Sequence, residues 1–149
     1  MDEKVYASAV KMLAGREHSR HEIKNKLLNK GYDLAAIEEV IEQCIQDKYL
    51  SESRFTEMFV SSKINRGAGP IKIKMELQQR GVDESLIDEY LDFDLSEWFE
   101  RAIDARCKRF GNQLPGDIND KARQIRFLQQ RGYTQKQIMS VIENNGFDD

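Results

Sequence analysis

Three stretches of this chain are copies of one another: KLLNKGYDLAAIEEVIE from Lys26, ELQQRGVDESLIDEYLD from Glu76 and FLQQRGYTQKQIMSVIE from Phe127. Their glycines, Gly31, Gly81 and Gly132, stand 50 and 51 residues apart. Leu27, Leu77 and Leu128 precede them by four positions, and Ile37, Ile87 and Ile138 follow by six. Repetition at this length marks stacked supersecondary units, each too small to bury its own apolar face. Within each copy, Lys30-Gly31, Arg80-Gly81 and Arg131-Gly132 read as helix ends. The cation suits the negative end of the helix dipole, and glycine accepts the left-handed backbone that stops the helix. Asp33, Asp83 and Thr134 then supply side-chain oxygens to cap the next helix.

The remaining helices follow from the same signals. First helices are predicted from Glu3 to Ala14, from Glu52 to Arg66 after the cap Ser51, and from Leu95 to Phe110 after Asp94. Second helices start at the capping box Ser19/Glu22, at Pro70 after Gly69, and at Asp117. Leu34, Ile37, Val40, Ile41 and Ile45 have the three-and-four spacing of one helix face, as do Leu86, Ile87, Tyr90 and Leu91. No stretch alternates with period two between hairpin turns, so the predicted fold is all-α. The expected architecture is three tandem three-helix repeats, 1–50, 51–93 and 94–149, in an elongated, curved, solenoid-like array. The longest irregular connection is placed at Gly111 to Gly116.

The chain has 149 residues, 40% hydrophobic and 33% charged, with a formal charge of -3. That balance suits an ordered helical protein and argues against whole-surface attraction to nucleic acid, which needs clustered cations. The distribution says more than the sum. Cations concentrate in residues 11–30, 54–80 and 101–136, whereas 31–52 are acidic and 83–100 carry no Lys or Arg at all. Candidate contacts for an anionic partner are Arg16, Arg20 and Lys24 in the first block, and Arg66, Lys72 and Lys74 in the second. The third and densest block adds Arg106, Lys108, Arg109, Lys121, Arg123, Arg126 and Arg131. The loop Arg66-Gly67-Ala68-Gly69-Pro70 is the most pointed of these, because two glycines permit close approach and the amides of the helix it opens favour an anion.

Other chemistry finds little support. Cys44 and Cys107 have neither a disulfide nor a zinc spacing and read as buried thiols in a reducing compartment. His18 and His21 lie beside Glu17 and Glu22, but Ser19 between them reads as a helix cap, so a structural or solvated role is preferred. No phosphate loop, H-E-x-x-H or G-x-S-x-G motif occurs, so no catalytic residue, metal or cofactor is assigned. Tyr6, Phe55, Phe59, Trp98, Phe99, Phe110 and Phe127 fall at helical spacing and are assigned to the core rather than to a base-stacking platform. Neither a secretory leader nor a membrane span is visible, which points to the cytoplasm.

Three motifs in order resemble one family. Arg16-Glu17-His18-Ser19-Arg20 with Lys30-Gly31-Tyr32, then Arg54-Phe55 with Arg66-Gly67-Ala68-Gly69-Pro70 and Glu76-Leu77, then Arg126-Phe127-Leu128-Gln129-Gln130-Arg131-Gly132-Tyr133 are similar to the signatures of RecX proteins. The resemblance covers essentially the whole chain. It implies a non-enzymatic, monomeric regulator of DNA repair, recombination and the SOS response. Such a protein binds RecA filaments on single-stranded DNA and lowers ATP hydrolysis, filament extension and strand exchange. Single-stranded DNA would be met directly or through RecA, and duplex DNA more weakly. A helix-turn-helix DNA binder acting without RecA is the alternative, but its recognition helix would turn Glu38, Glu39 and Glu42, or Asp88, Glu89 and Asp92, toward phosphates.

Overall fold

The computed structural model describes residues 1–143, and among them the chain forms nine α-helices and no strand. These are α1 (Glu3–Gly15), α2 (Arg20–Asn29), α3 (Leu34–Gln46), α4 (Glu52–Asn65), α5 (Pro70–Gln79), α6 (Glu84–Tyr90), α7 (Glu97–Phe110), α8 (Ile118–Arg131) and α9 (Gln135–Glu143). Residues 144–149 of the third repeat lie outside the described residues. Two compact units result: Met1–Phe59 with Leu77–Tyr90, and Val60–Glu76 with the described residues from Leu91 onward. The helices of the middle repeat contribute to both, as expected of a repeat that cannot close a core alone.

In the first unit α1 and α2 pack on α3. Val5, Ala9 and Leu13 of α1, Ile23 and Leu27 of α2, and Ile37, Val40, Ile41 and Cys44 of α3 form its core. Each fully buried Leu, Ile or Val there is worth roughly 1.5–3 kcal/mol relative to exposure. Asp2 caps α1 by accepting from the N–H groups of Lys4 (3.0 Å) and Val5 (3.3 Å). The Ser19/Glu22 capping box of α2 is present in both directions, and Ser51 Oγ accepts from the N–H of Arg54 at 3.2 Å. Asp33 takes the cap position of α3 but makes no side-chain bond. Thr134 does cap, reciprocally with Gln137 (2.9 and 3.1 Å).

The three repeated glycines all have positive φ, at +90°, +77° and +97°. Each sits in the same double turn, in which the next residue's N–H returns to the repeated leucine: Tyr32 to Leu27 O (3.3 Å), Val82 to Leu77 O (3.1 Å) and Tyr133 to Leu128 O (3.2 Å). This is the Schellman arrangement, which satisfies carbonyls that a helix end otherwise leaves unpaired.

In the second unit α7, α8 and α9 pack on one another around Trp98, Ala102, Leu128, Tyr133, Ile138, Val141 and Ile142. Helix α7 begins at Glu97, not at Leu95. The preceding residues turn instead, since the Asp94 N–H donates to Asp92 Oδ1 (2.9 Å) and the Trp98 indole N–H to Asp92 O (2.7 Å). Residues 111–117 are the longest connection between described helices. Cys44 is buried as expected, but Cys107 is only half-buried. Its neighbour Arg106 takes the inward position, fully buried, and donates from Nη1 to Gln113 O (2.9 Å) and Gln124 Oε1 (3.4 Å).

Candidate functional site

The three candidate cations of the first block are each matched by a carboxylate. Arg16 meets Glu22 at 3.2 Å, Arg20 meets Glu42, and Lys24 approaches Glu38 at 3.9 Å. Arg54 and Arg80 likewise reach Glu17 (2.8 Å) and Glu22 (3.5 Å). These exposed pairs contribute little stability each. They do, however, engage Arg16, Arg20, Lys24, Arg54 and Arg80 within the first unit.

His18 in this block is buried. Its Nδ1 lies 2.9 Å from Arg16 O, a pure acceptor, so Nδ1 carries the proton and Nε2 accepts from Lys26 Nζ at 2.8 Å. Burial holds its pKa below the usual imidazole value of 6.5, with the cations of Arg16 and Lys26 acting in the same direction. The unfolded chain therefore binds this proton more readily than the folded chain. Stability from His18 is complete above about pH 6.5 and declines as pH falls through that value toward the folded pKa. Burial raises the Glu22 pKa, but bonds from Arg16 and the Ser19 N–H outweigh it and the net shift is downward. Its contribution is lost only below the ordinary carboxylate range, a separate window. Melting temperature is expected to drop between pH 7 and pH 5, and His18→Gln is expected to flatten that drop; an unchanged slope in the variant would refute the assignment.

The Arg66–Pro70 loop departs from expectation. The amides at the start of α5 are already engaged: Gly69 N–H donates to Arg131 O (2.6 Å) and Ile71 N–H to Gly132 O (2.9 Å). Tyr133 O–H donates to Gly67 O (3.0 Å), and Arg131 Nη1 to Arg66 O (3.2 Å). The end of α8 thus supplies the negative dipole that the start of α5 attracts, and no exogenous anion is needed there. A Cβ on Gly69 would lie 2.5 Å from Gly132 C and from Tyr133 N, which explains the glycine. The first unit repeats the device in weaker form, with Ser19 Oγ at the start of α2 donating to Arg80 O at 2.9 Å. Lys72 is half-buried beside Gly132, and Lys74 Nζ lies 5.9 Å from the Phe93 ring centre.

The second unit does gather cations. Arg66 at the end of α4, Arg101, Lys108 and Arg109 on α7, and Arg131 at the end of α8 line one cavity of about 280 Å³, with Ile64 and Ala105 among its other walls. Asp104 is its one lining carboxylate and pairs with Lys108 at 3.0 Å. Among the described residues, no carboxylate pairs with Arg66, Arg101, Arg109 or Arg131. Arg101 was not among the sequence candidates. Its signal was the spacing of seven and eight residues to Lys108 and Arg109, two helical turns along one face.

Aromatic rings hold several of these guanidinium groups in place. Arg101 lies 4.6 Å from the Trp98 ring centre, and Arg131 5.0 Å and Arg109 5.8 Å from that of Phe127. Phe110 and Phe127 meet edge to face at 5.3 Å, with Arg123 5.0 Å from Phe110. Phe55, Phe59 and Trp98 are buried as expected of core, whereas Tyr6, Phe99, Phe110 and Phe127 are half-buried. Arg123 also pairs with Asp120 at 2.8 Å. Lys121 and Arg126 do not line the cavity. Buried Arg106 leaves the exposed set altogether, because its guanidinium is spent on the 111–117 connection and on Gln124.

Among the described residues no cluster of His, Cys, Asp or Glu could hold a metal, and no helix is long and apolar enough to cross a membrane. Three family models match in chain order: RecX first three-helix domain over residues 6–44, second over 51–91 and third over 96–142. A regulatory protein RecX of Halorhodospira halophila is 40% identical over 147 residues, 99% of this chain and 91% of that protein. One from Pseudomonas fluorescens is 37% identical over 145 residues, 97% of this chain and 94% of its own length. The crystal structure of RecX from Lactobacillus salivarius superposes with a TM-score of 0.79 at 21% identity, covering 94% of this chain and 93% of that one. A second, of regulatory protein RecX, gives 0.82 at 21% identity over 93% and 71% of the two chains. With all three helical domains matched in order and more than a third of its residues shared with relatives along almost its full length, the chain belongs to the RecX family of regulatory proteins.

Proposed function

We propose that this protein is a cytoplasmic, monomeric, non-enzymatic regulator that binds RecA filaments on single-stranded DNA. In this reading it restrains their ATP hydrolysis, extension and strand exchange, with repeats spanning 1–50, 51–93 and 94–149. One observation carries it beyond family membership. The candidate cations of the first block, Arg16, Arg20 and Lys24, are each paired with a carboxylate, while among the described residues the arginines lining the 280 Å³ cavity are not. Arg66 and the ring-supported Arg101, Arg109 and Arg131, none with a carboxylate partner among the described residues, are available to phosphates or to an acidic protein face. Charge complementarity of that kind sets register and association rate. Among the sequence candidates, Arg66, Arg109 and Arg131 are therefore favoured over Arg16, Arg20 and Lys24, with Lys108 joining them by its place in the same cavity.

The test is RecA's single-strand-dependent ATPase with sub-stoichiometric protein added. Inhibition is expected and should weaken as salt rises. Arg66→Glu, Lys108→Glu and Arg109→Glu combined should raise the half-inhibiting concentration about tenfold or more, equivalent to ~1.4 kcal/mol, while helicity is retained. Undiminished inhibition by the triple variant would remove this face from the contact. Strong sequence-specific duplex binding without RecA would favour the helix-turn-helix reading instead.

A further inference from the structure

We propose that the cavity between the end of α4, α7 and the end of α8 is a discrete site for a compact, multiply charged phosphate group, such as a nucleotide's phosphate chain or an oligonucleotide's terminal phosphate. Four guanidinium groups and one ammonium group converge on it, against the single carboxylate of Asp104. Like charges gathered in one recess repel one another, and an anion of high charge relieves that repulsion at a stroke. Planar guanidinium forks match phosphate oxygens two at a time.

Two of the arginines are already held in place. Arg131 is tied to Arg66 O at 3.2 Å and Arg101 lies against the Trp98 ring, so little side-chain freedom remains to be lost on binding. Size selects the ligand further. About 280 Å³ lies at the small end of ligand pockets, enough for a phosphate chain and too little for a run of stacked bases. A terminal group carrying two or more charges therefore fits better than an internal diester of a passing strand. The proposal goes beyond RecA regulation and does not depend on it, because its test contains no recombinase.

Calorimetric titration of the full chain with tripolyphosphate should give saturable binding, about tenfold tighter than sulfate at matched ionic strength. Arg66→Ala with Arg109→Ala should weaken it about tenfold or more; Lys108→Gln, at a largely exposed position, should weaken it less. Two arms identify the source. ATP competing with tripolyphosphate points to a free nucleotide, and preference for a 5′-phosphorylated over a 5′-hydroxyl single-stranded oligonucleotide points to a nucleic-acid end. No saturable tripolyphosphate binding by the unaltered chain, or equal binding by the double variant, overturns the proposal.

Discussion

Gly132→Ala is expected to destabilise the second unit by about 3 kcal/mol or more, two penalties acting together. Gly132 has φ +97°, where an L side chain is strained by roughly 1–2 kcal/mol. Its added Cβ would also meet Lys72 at both N, 2.6 Å away, and Cβ. The amide nitrogen is backbone in the first turn of α5 and cannot rotate aside. Relief would require α5 to withdraw from the end of α8, breaking the bonds from Gly69 and Ile71. Gly31→Ala is the internal control. Its φ is +90°, nearly the same, but nothing lies within 4 Å of its Cβ. Only the strain of roughly 1–2 kcal/mol is then expected. Urea unfolding of both variants measures the difference, and equal losses would mean that close approach at Gly132 has no energetic weight.

Trp98→Ala should cost about 3–5 kcal/mol, the usual range for deleting a buried large aromatic. The side chain is 1% exposed, its N–H is bonded to Asp92 O at 2.7 Å, and Tyr133 meets its ring edge to face at 6.5 Å. Truncation leaves a cavity under α7 and removes the shorter of the two bonds to Asp92 O, leaving only that from the Leu95 N–H at 3.4 Å. It also removes the surface that holds Arg101, so phosphate affinity in the cavity should fall as well as stability. Trp98→Phe keeps most of the packing and loses the hydrogen bond, for about 1 kcal/mol. Trp98 is the only tryptophan, so circular dichroism rather than fluorescence follows unfolding in both variants. An alanine variant as stable as the phenylalanine one would show that Trp98 does not anchor the turn.

How much of this was readable in advance depends on the distance over which each feature is set. The Schellman turns at Gly31, Gly81 and Gly132, the Ser19/Glu22 box and the proline start of α5 were legible, because each is settled within one helical turn by conformational preference and a short hydrogen bond. The spacing of apolar residues on α3 identified its buried face for the same reason. Arg106 was misread as a surface cation because in sequence it is indistinguishable from Arg109. What separates them is Gln113 O and Gln124, which arrive from the next connection and the next helix.

Charge followed the same division. The blocks of Lys and Arg were plain in the order of residues, and so was the triplication that makes the chain all-α. Which blocks remain open to a partner was not, because neutralisation depends on carboxylates such as Glu38 and Glu42 carried round by the packing of α3 on α2. The anion site first placed at the start of α5 is filled by carbonyls of α8, some sixty residues later in the chain. Local preferences act through neighbouring bonds and are written in the residues directly. Burial, ion pairing and the meeting of helix ends act through space, and they take shape only when the helices have come together.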